Sequence, residues 1–149
     1  MVSVLADARI YEFIGGTAPT LPELTQRYTQ QVAGSGRSDE VWLNWIIRRR
    51  SDKQPIGYVQ ATVALRTSRS VAELAWVITP AHQGAGAATE AATAVAAHLR
   101  ANADTELHAH IADTNVGSVK VAERVGLVAT EALNEEGERL YVAMSRRSG

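Results

Sequence analysis

The segment from Val71 to Ala88 constrains the fold most. An apolar run rich in β-formers ends at Ile78-Thr79-Pro80. The chain then passes through Gln83-Gly84-Ala85-Gly86-Ala87-Ala88 into a long alanine-rich stretch. A strand that feeds a helix through residues with almost no side chain leaves several backbone amides unobstructed at the helix start. Those amides and the positive end of the helix dipole converge on one spot, which favours a phosphate or pyrophosphate. Close packing also uses small residues at a helix start, so the segment alone leaves both readings open. No Lys-Ser/Thr pair follows the glycines, which argues against a Walker-type loop, and Gly-x-Gly-x-x-Gly is absent too.

The remaining pattern alternates strands and helices. Ala6 to Ile14 reads as weakly helical and is ended by Gly15-Gly16. Thr20-Leu21-Pro22-Glu23 predicts a helix start: Thr20 caps, Pro22 sits where its missing N–H is harmless, and Glu23 completes a capping box. Leu21, Leu24, Tyr28 and Val32 follow at helical spacing up to Gly34 and predict one buried stripe. Val41–Arg48 and Ile56–Leu65 predict an antiparallel hairpin around Ser51–Pro55, and Val71–Ile78 a third strand. Ala88, Ala92, Val95 and Leu99 give the next helix, running to about Arg100, a buried face of small residues. Glu106–Ala112 predicts a strand and Val116–Val125 a short helix with Gly126 as its left-handed cap. Leu127–Leu133 and Arg139–Ser145 predict two last strands. The expectation is a mixed α/β (α+β) sheet in a single domain over residues 1–149.

Composition narrows the function. The 149 residues carry a net charge of −1, so there is no broad electrostatic footprint for nucleic acid. No apolar run approaches the roughly 20 residues of a membrane span. The first ten residues, with Asp7 and Arg9, do not read as a signal peptide, so a cytoplasmic protein is expected. Zero cysteine excludes disulfides, thiolate metal sites and a cysteine nucleophile. His108 and His110 share a strand face at a spacing that can hold a metal. No third ligand completes the set, so they read as solvated or substrate-facing and no metal is expected. His82 reads as a loop residue. Arg48-Arg49-Arg50 reads as a solvated strand end, with an acidic peptide or a phosphate as the sharper options.

Gln83-x-x-Gly86-x-Ala88 resembles the Gln/Arg-x-x-Gly-x-Gly/Ala signature of the GNAT acyl-CoA-dependent N-acetyltransferases. Further on, Asn115 to Leu127 resembles the next motif of that superfamily, in which an Asn opens a short helix that ends in Gly and an apolar residue. The Asn-x-x-Ser-x-x-Val form, with Thr89-Glu90-Ala91 after the first motif, looks most like the branch that acetylates N-termini of ribosomal proteins. The resemblance implies a central, mostly antiparallel sheet flanked by helices, in which this chain lacks the usual first strand and helix. It implies acetyl-CoA as co-substrate and a primary amine, a peptide N-terminus or a small molecule, as acceptor. Gln83, Gly84, Ala85, Gly86, Ala87 and Ala88 would cradle the pyrophosphate through backbone amides. Trp76, Val77 and Ile78 would pair their backbone with the pantetheine arm, and Asn115 would bond that arm as well as cap its helix.

Acetyl transfer needs a neutral amine, a polarised carbonyl and a proton for the thiolate. Glu73 is the candidate base, on the strand leading to the cofactor, against the alternative of a solvated charge at a sheet end. Many members of the superfamily place a Tyr where this chain has Ala122, which moves attention for the thiolate to Ser118. A helix serine bonding its own backbone is the competing reading there. A non-catalytic acyl-CoA-binding module, regulatory or vestigial, is the alternative function. A homodimer through an exposed sheet edge fits either.

Overall fold

The computed structural model describes residues 1–11 and 16–143. Six strands form one sheet: β1 Glu40–Arg48, β2 Pro55–Ala64, β3 Ser70–Ile78, β4 Thr105–Ile111, β5 Val128–Leu133 and β6 Arg139–Ala143. Three helices flank it: α1 Leu21–Ala33, α2 Ala87–Asn102 and α3 Val116–Val125. The strand order is β1-β2-β3-β4-β6-β5, antiparallel throughout except for the parallel β3–β4 pair. The mixed, mostly antiparallel sheet is the expected one. Among the described residues no strand precedes Glu40 and no helix is long and apolar enough to cross a membrane. Of the helix expected over Ala6–Ile14, the described residues show a 3-10 turn at Ala8–Ile10, and residues 12–15 lie outside the described ones. The last strand is likewise described only to Ala143.

The two faces of the sheet do different work. One carries the main core: Val59, Ala61, Leu74 and Leu107 meet Val95, Ala96 and Leu99 of α2, and Ala122 of α3. Strand alternation puts every second residue there, and β4 reads buried, half-buried, buried along its whole length. The other face holds a smaller cluster of Leu5, Ile10, Leu24 and Val77 under the N-terminal segment and α1.

α1 starts as expected. The Thr20 hydroxyl accepts from Glu23 N at 3.3 Å, and the Glu23 carboxylate accepts from Thr20 N at 2.7 Å. The predicted stripe is corrected: Leu24 is buried and Tyr28 half-buried, but Leu21 is 66% and Val32 89% exposed. Of the stripe, only Leu24 and Tyr28 pack into the apolar cluster, while Val32 lines an open cleft. α2 begins at Ala87, later than the glycines suggested, because Gly86 sits in the left-handed region at φ +82.

Candidate active site

β3 and β4 are paired only from Ser70↔Thr105 to Glu73↔His108. Beyond that fork β3 stays with β2 as far as Ile78↔Gly57, while β4 stays with β6 as far as Ile111↔Arg139. The neighbours part, and the backbone of β3 from Leu74 onward borders an opening. Trp76, Val77 and Ile78 lie on this stretch. Because the two strands are parallel, the helices that follow them, α2 and α3, both start at the open end. Ligands of α/β sheets bind at such carboxyl ends of strands.

Pro80–His82 forms a 3-10 turn, and Gln83 N donates to Pro80 O at 3.3 Å. The Gln83 side chain donates to Ile78 O at 2.9 Å and ties the loop to the strand end. Gln83 is therefore a clamp whose own amide is committed, and the amides that face outward begin at Gly84. Gly84 and Gly86 both have φ near +83, and a Cβ at either would meet nothing within 4 Å, so the loop is open on its outer side. The first helical bond is Glu90 N to Gly86 O, 2.9 Å, and no side chain caps the helix. The amides of Ala87, Ala88 and Thr89 are the ones an α-helix leaves without an internal acceptor. An anion with several oxygens fits this arrangement.

Across the opening, Asn115 caps α3: its Oδ1 accepts from Ser118 N at 3.2 Å. That leaves the NH2 end of the amide as the donor for a ligand. Ser118 is half-buried in the first turn. Ala122 is completely buried in the main core.

At the fork itself the structure pairs two residues that sequence reasoning had kept apart. Glu73 Oε1 lies 2.6 Å from His110 Nδ1, with side chains 39% and 32% exposed, so the pair is open to a substrate. Next to it, Glu106 and His108 make a second carboxylate–imidazole contact at 2.5 Å. The two histidines are thus carboxylate-bound rather than simply solvated, and no metal-binding group of three or more ligands exists among the described residues. A strand alternating Leu107, Ala109 and Ile111 with Glu106, His108 and His110 signalled a polar face. The parallel register sets His108 opposite Glu73, and only the tertiary structure shows that Glu73 meets the next ring on that face, His110, while His108 meets Glu106.

On the same face as Glu73 a cleft of about 530 Å³ opens between α1 and the β1–β2 hairpin. Cross-strand partners share a face, so its floor is built in rows: Ile46 beside Tyr58, then Asn44 beside Gln60, with Trp42 next along β1. Gln60 is also opposite Ala75, and Thr62, the next residue on that face of β2, is opposite Glu73, so the cleft and the Glu73–His110 pair share one sheet face. Burial pushes the Tyr58 phenol above its ordinary pKa, keeping it a neutral donor. These residues escaped the sequence reading. An Asn and a Gln alternating with apolar residues in two adjacent strands were the available signal.

The arginines of the hairpin turn are not simply solvated. Arg49 forks onto Asp52, whose carboxyl it holds down to about 2, and its other nitrogen lies 3.0 Å from His82 Nε2. His82 Nδ1 is buried with no hydrogen-bond partner among the described residues. Arg50 reaches Glu90 in the first turn of α2 at 3.4 Å, with both side chains largely exposed. The hairpin turn is thereby brought beside the glycine loop.

The parted strands, the open glycine loop and the Glu73–His110 contact thus belong to one site at the carboxyl end of β3. Residues 1–128 match the Acetyltransferase (GNAT) domain, and the chain belongs to that family of acetyltransferases. Solved structures share the fold. A spermidine N-acetyltransferase from Vibrio cholerae, in complex with CoA and spermine, is 19% identical, with 95% of this chain and 84% of that one covered at a TM-score of 0.71. The aminoglycoside acetyltransferase AAC(6')-Ib with coenzyme A and kanamycin is 20% identical over 96% and 86% of the chains, at 0.72. A domain from Methanocaldococcus jannaschii is 21% identical over 97% and 89%, at 0.71. No protein of curated function matches the sequence.

Proposed function

We propose that the protein uses acetyl-CoA to acetylate a primary amine, a peptide N-terminus or a small amine, by direct attack within a ternary complex. The observation that carries this reading is the fork: an opening between β3 and β4, a glycine loop at one helix start, Asn115 at the other, and the Glu73–His110 pair where the strands part. Acetyl-CoA supplies an activated thioester. The amides from Gly84 to Ala88 hold its pyrophosphate, and the β3 edge at Trp76, Val77 and Ile78 together with Asn115 aligns its arm. Glu73, hydrogen-bonded to His110, takes the proton of the amine, and the Ser118 hydroxyl hydrogen-bonds the departing thiolate sulfur. No cysteine is available to carry an acetyl group, which favours direct transfer with both substrates bound.

Calorimetry with acetyl-CoA, followed by initial rates against both substrates, tests the reading. We expect saturable binding and intersecting, sequential rate patterns. Parallel, ping-pong patterns or no heat of binding would sink it. The exposed Arg50–Glu90 contact contributes little to stability, which leaves the Arg50 guanidinium available to a CoA phosphate. Arg50→Ala is expected to weaken acetyl-CoA binding about fivefold, the scale of one exposed charge contact, and to do so less at high salt. An unchanged constant at low salt removes Arg50 from the site.

One observation favours the second reading, a CoA-binding module without turnover. The Tyr that many relatives use to protonate the thiolate is replaced by Ala122, sealed in the core. Acetyl-CoA binding with no CoA release across a broad panel of amines would establish it. A homodimer would use β5, the edge strand on which Val128 and Leu133 stand exposed.

A further inference from the structure

We propose that the acceptor is an amine with an apolar body and an amide or carboxylate function, a peptide-like or acidic amine, and that polycationic amines are disfavoured. The proposal rests on the acetyl-transfer reading and concerns the cleft on the same sheet face as Glu73. Its floor alternates in character. The amide row of Asn44 and Gln60 lies between an apolar row of Ile46 and Tyr58 and the indole of Trp42. Each of those two side-chain amides offers a donor and an acceptor, which matches a peptide group or a carboxylate. The flanking rows accept an aliphatic or aromatic side chain. A volume of about 530 Å³ falls within the range of about 300–1,000 Å³ that suits small ligands.

Charge decides between amine classes. Among the described residues lining the cleft the one formal charge is Arg27, and there is no carboxylate. Arg27 lines the cleft together with Tyr28 and Tyr58, and its positive charge partly offsets the burial that raises the pKa of Tyr11, Tyr28 and Tyr58. Aromatic walls alone would also receive an ammonium group. A second cation here, however, meets Arg27 with no counter-charge from the lining, and like charges placed together are costly. Glu40 offers no relief within the lining, since it accepts from the Trp42 indole nitrogen at 2.8 Å from outside it. In the transfer, the amine nitrogen bonds the acetyl carbon and the C–S bond breaks with its electron pair staying on sulfur. The amine proton passes to the Glu73–His110 pair.

The test compares phenylalanyl-glutamate, phenylalanine amide, spermidine and kanamycin as acceptors. CoA release is read with a thiol reagent, the product by mass, and acceptor binding to the CoA-saturated protein by calorimetry. We expect phenylalanyl-glutamate to exceed spermidine and kanamycin by about tenfold or more in kcat/KM. Arg27 is exposed on α1, so Arg27→Glu should fold. It should lower the acidic acceptor about tenfold, raise spermidine, and leave acetyl-CoA binding unchanged, as expected for reversing a recognition charge. Preference for spermidine or kanamycin, or a ranking unmoved by Arg27→Glu, overturns the proposal. If no acceptor is acetylated, the acetyl-transfer reading fails, and calorimetry still decides the preference. Tighter phenylalanyl-glutamate supports the cleft assignment, and tighter spermidine overturns it.

Discussion

Glu73→Gln is expected to lower kcat by about 10²- to 10⁴-fold, the usual contribution of a positioned general base, with acetyl-CoA affinity unchanged. Gln keeps the shape of the side chain and its reach to His110, now 2.6 Å from the carboxylate, but not the negative charge that accepts a proton. The side chain is 39% exposed, so the fold should tolerate the change within about 0.5 kcal/mol. His110→Gln tests whether the two act together. Residues that form one unit give strongly non-additive losses, so the double variant should be little slower than the worse single one. Steady-state rates with a saturating acceptor measure this. A kcat within about threefold of the parent for Glu73→Gln would return Glu73 to the role of a solvated charge, below the range a base supplies.

Gly57→Ala is expected to destabilise the protein by about 3 kcal/mol, the upper end for overpacking a close-packed site. A Cβ at Gly57 would sit 2.0 Å from the Val77 carbonyl oxygen and 3.0 Å from Ile78 Cα. Both contacts include backbone, which cannot swing aside as a side chain can. Gly57 is also buried and opposite Ile78 in the register, and the neighbouring Ile56 O accepts from Thr79 N at 2.8 Å. The strands must separate at the stretch we propose aligns the pantetheine arm, so acetyl-CoA affinity should fall with stability. Thermal unfolding should show a drop of roughly 10 °C for a chain of this size. A melting temperature unchanged within a degree or two would mean that the β2–β3 approach is looser than drawn.

The strand and helix succession was legible because it rests on local chemistry. The capping box of Thr20 and Glu23, the Gly126 cap and the alternation along β4 depend on neighbours within a few residues. The glycine loop was legible for the same reason. Gly84 and Gly86 adopt positive φ that other residues resist. What failed depended on distance in the chain. Leu21 and Val32 have the spacing of a buried stripe, yet a helix buries only what another element covers, and which turns of α1 are covered is set elsewhere in the chain. An isolated glycine within a strand pattern hints at close backbone approach, but only the register shows that Gly57 meets Val77.

The sequence by itself determined the elements, the glycine loop with its two cofactor motifs and, through the missing cysteine, the exclusion of a cysteine acetyl-enzyme. These follow from backbone preferences, side-chain size and the chemistry a residue type has or lacks. Tertiary structure alone decided that β3 and β4 part after Glu73, that His110 rather than water meets its carboxylate, and that Arg27 stands over a floor of amides and aromatics. Such contacts join residues far apart in the chain, and their partners are fixed by strand order and register, which no local pattern encodes.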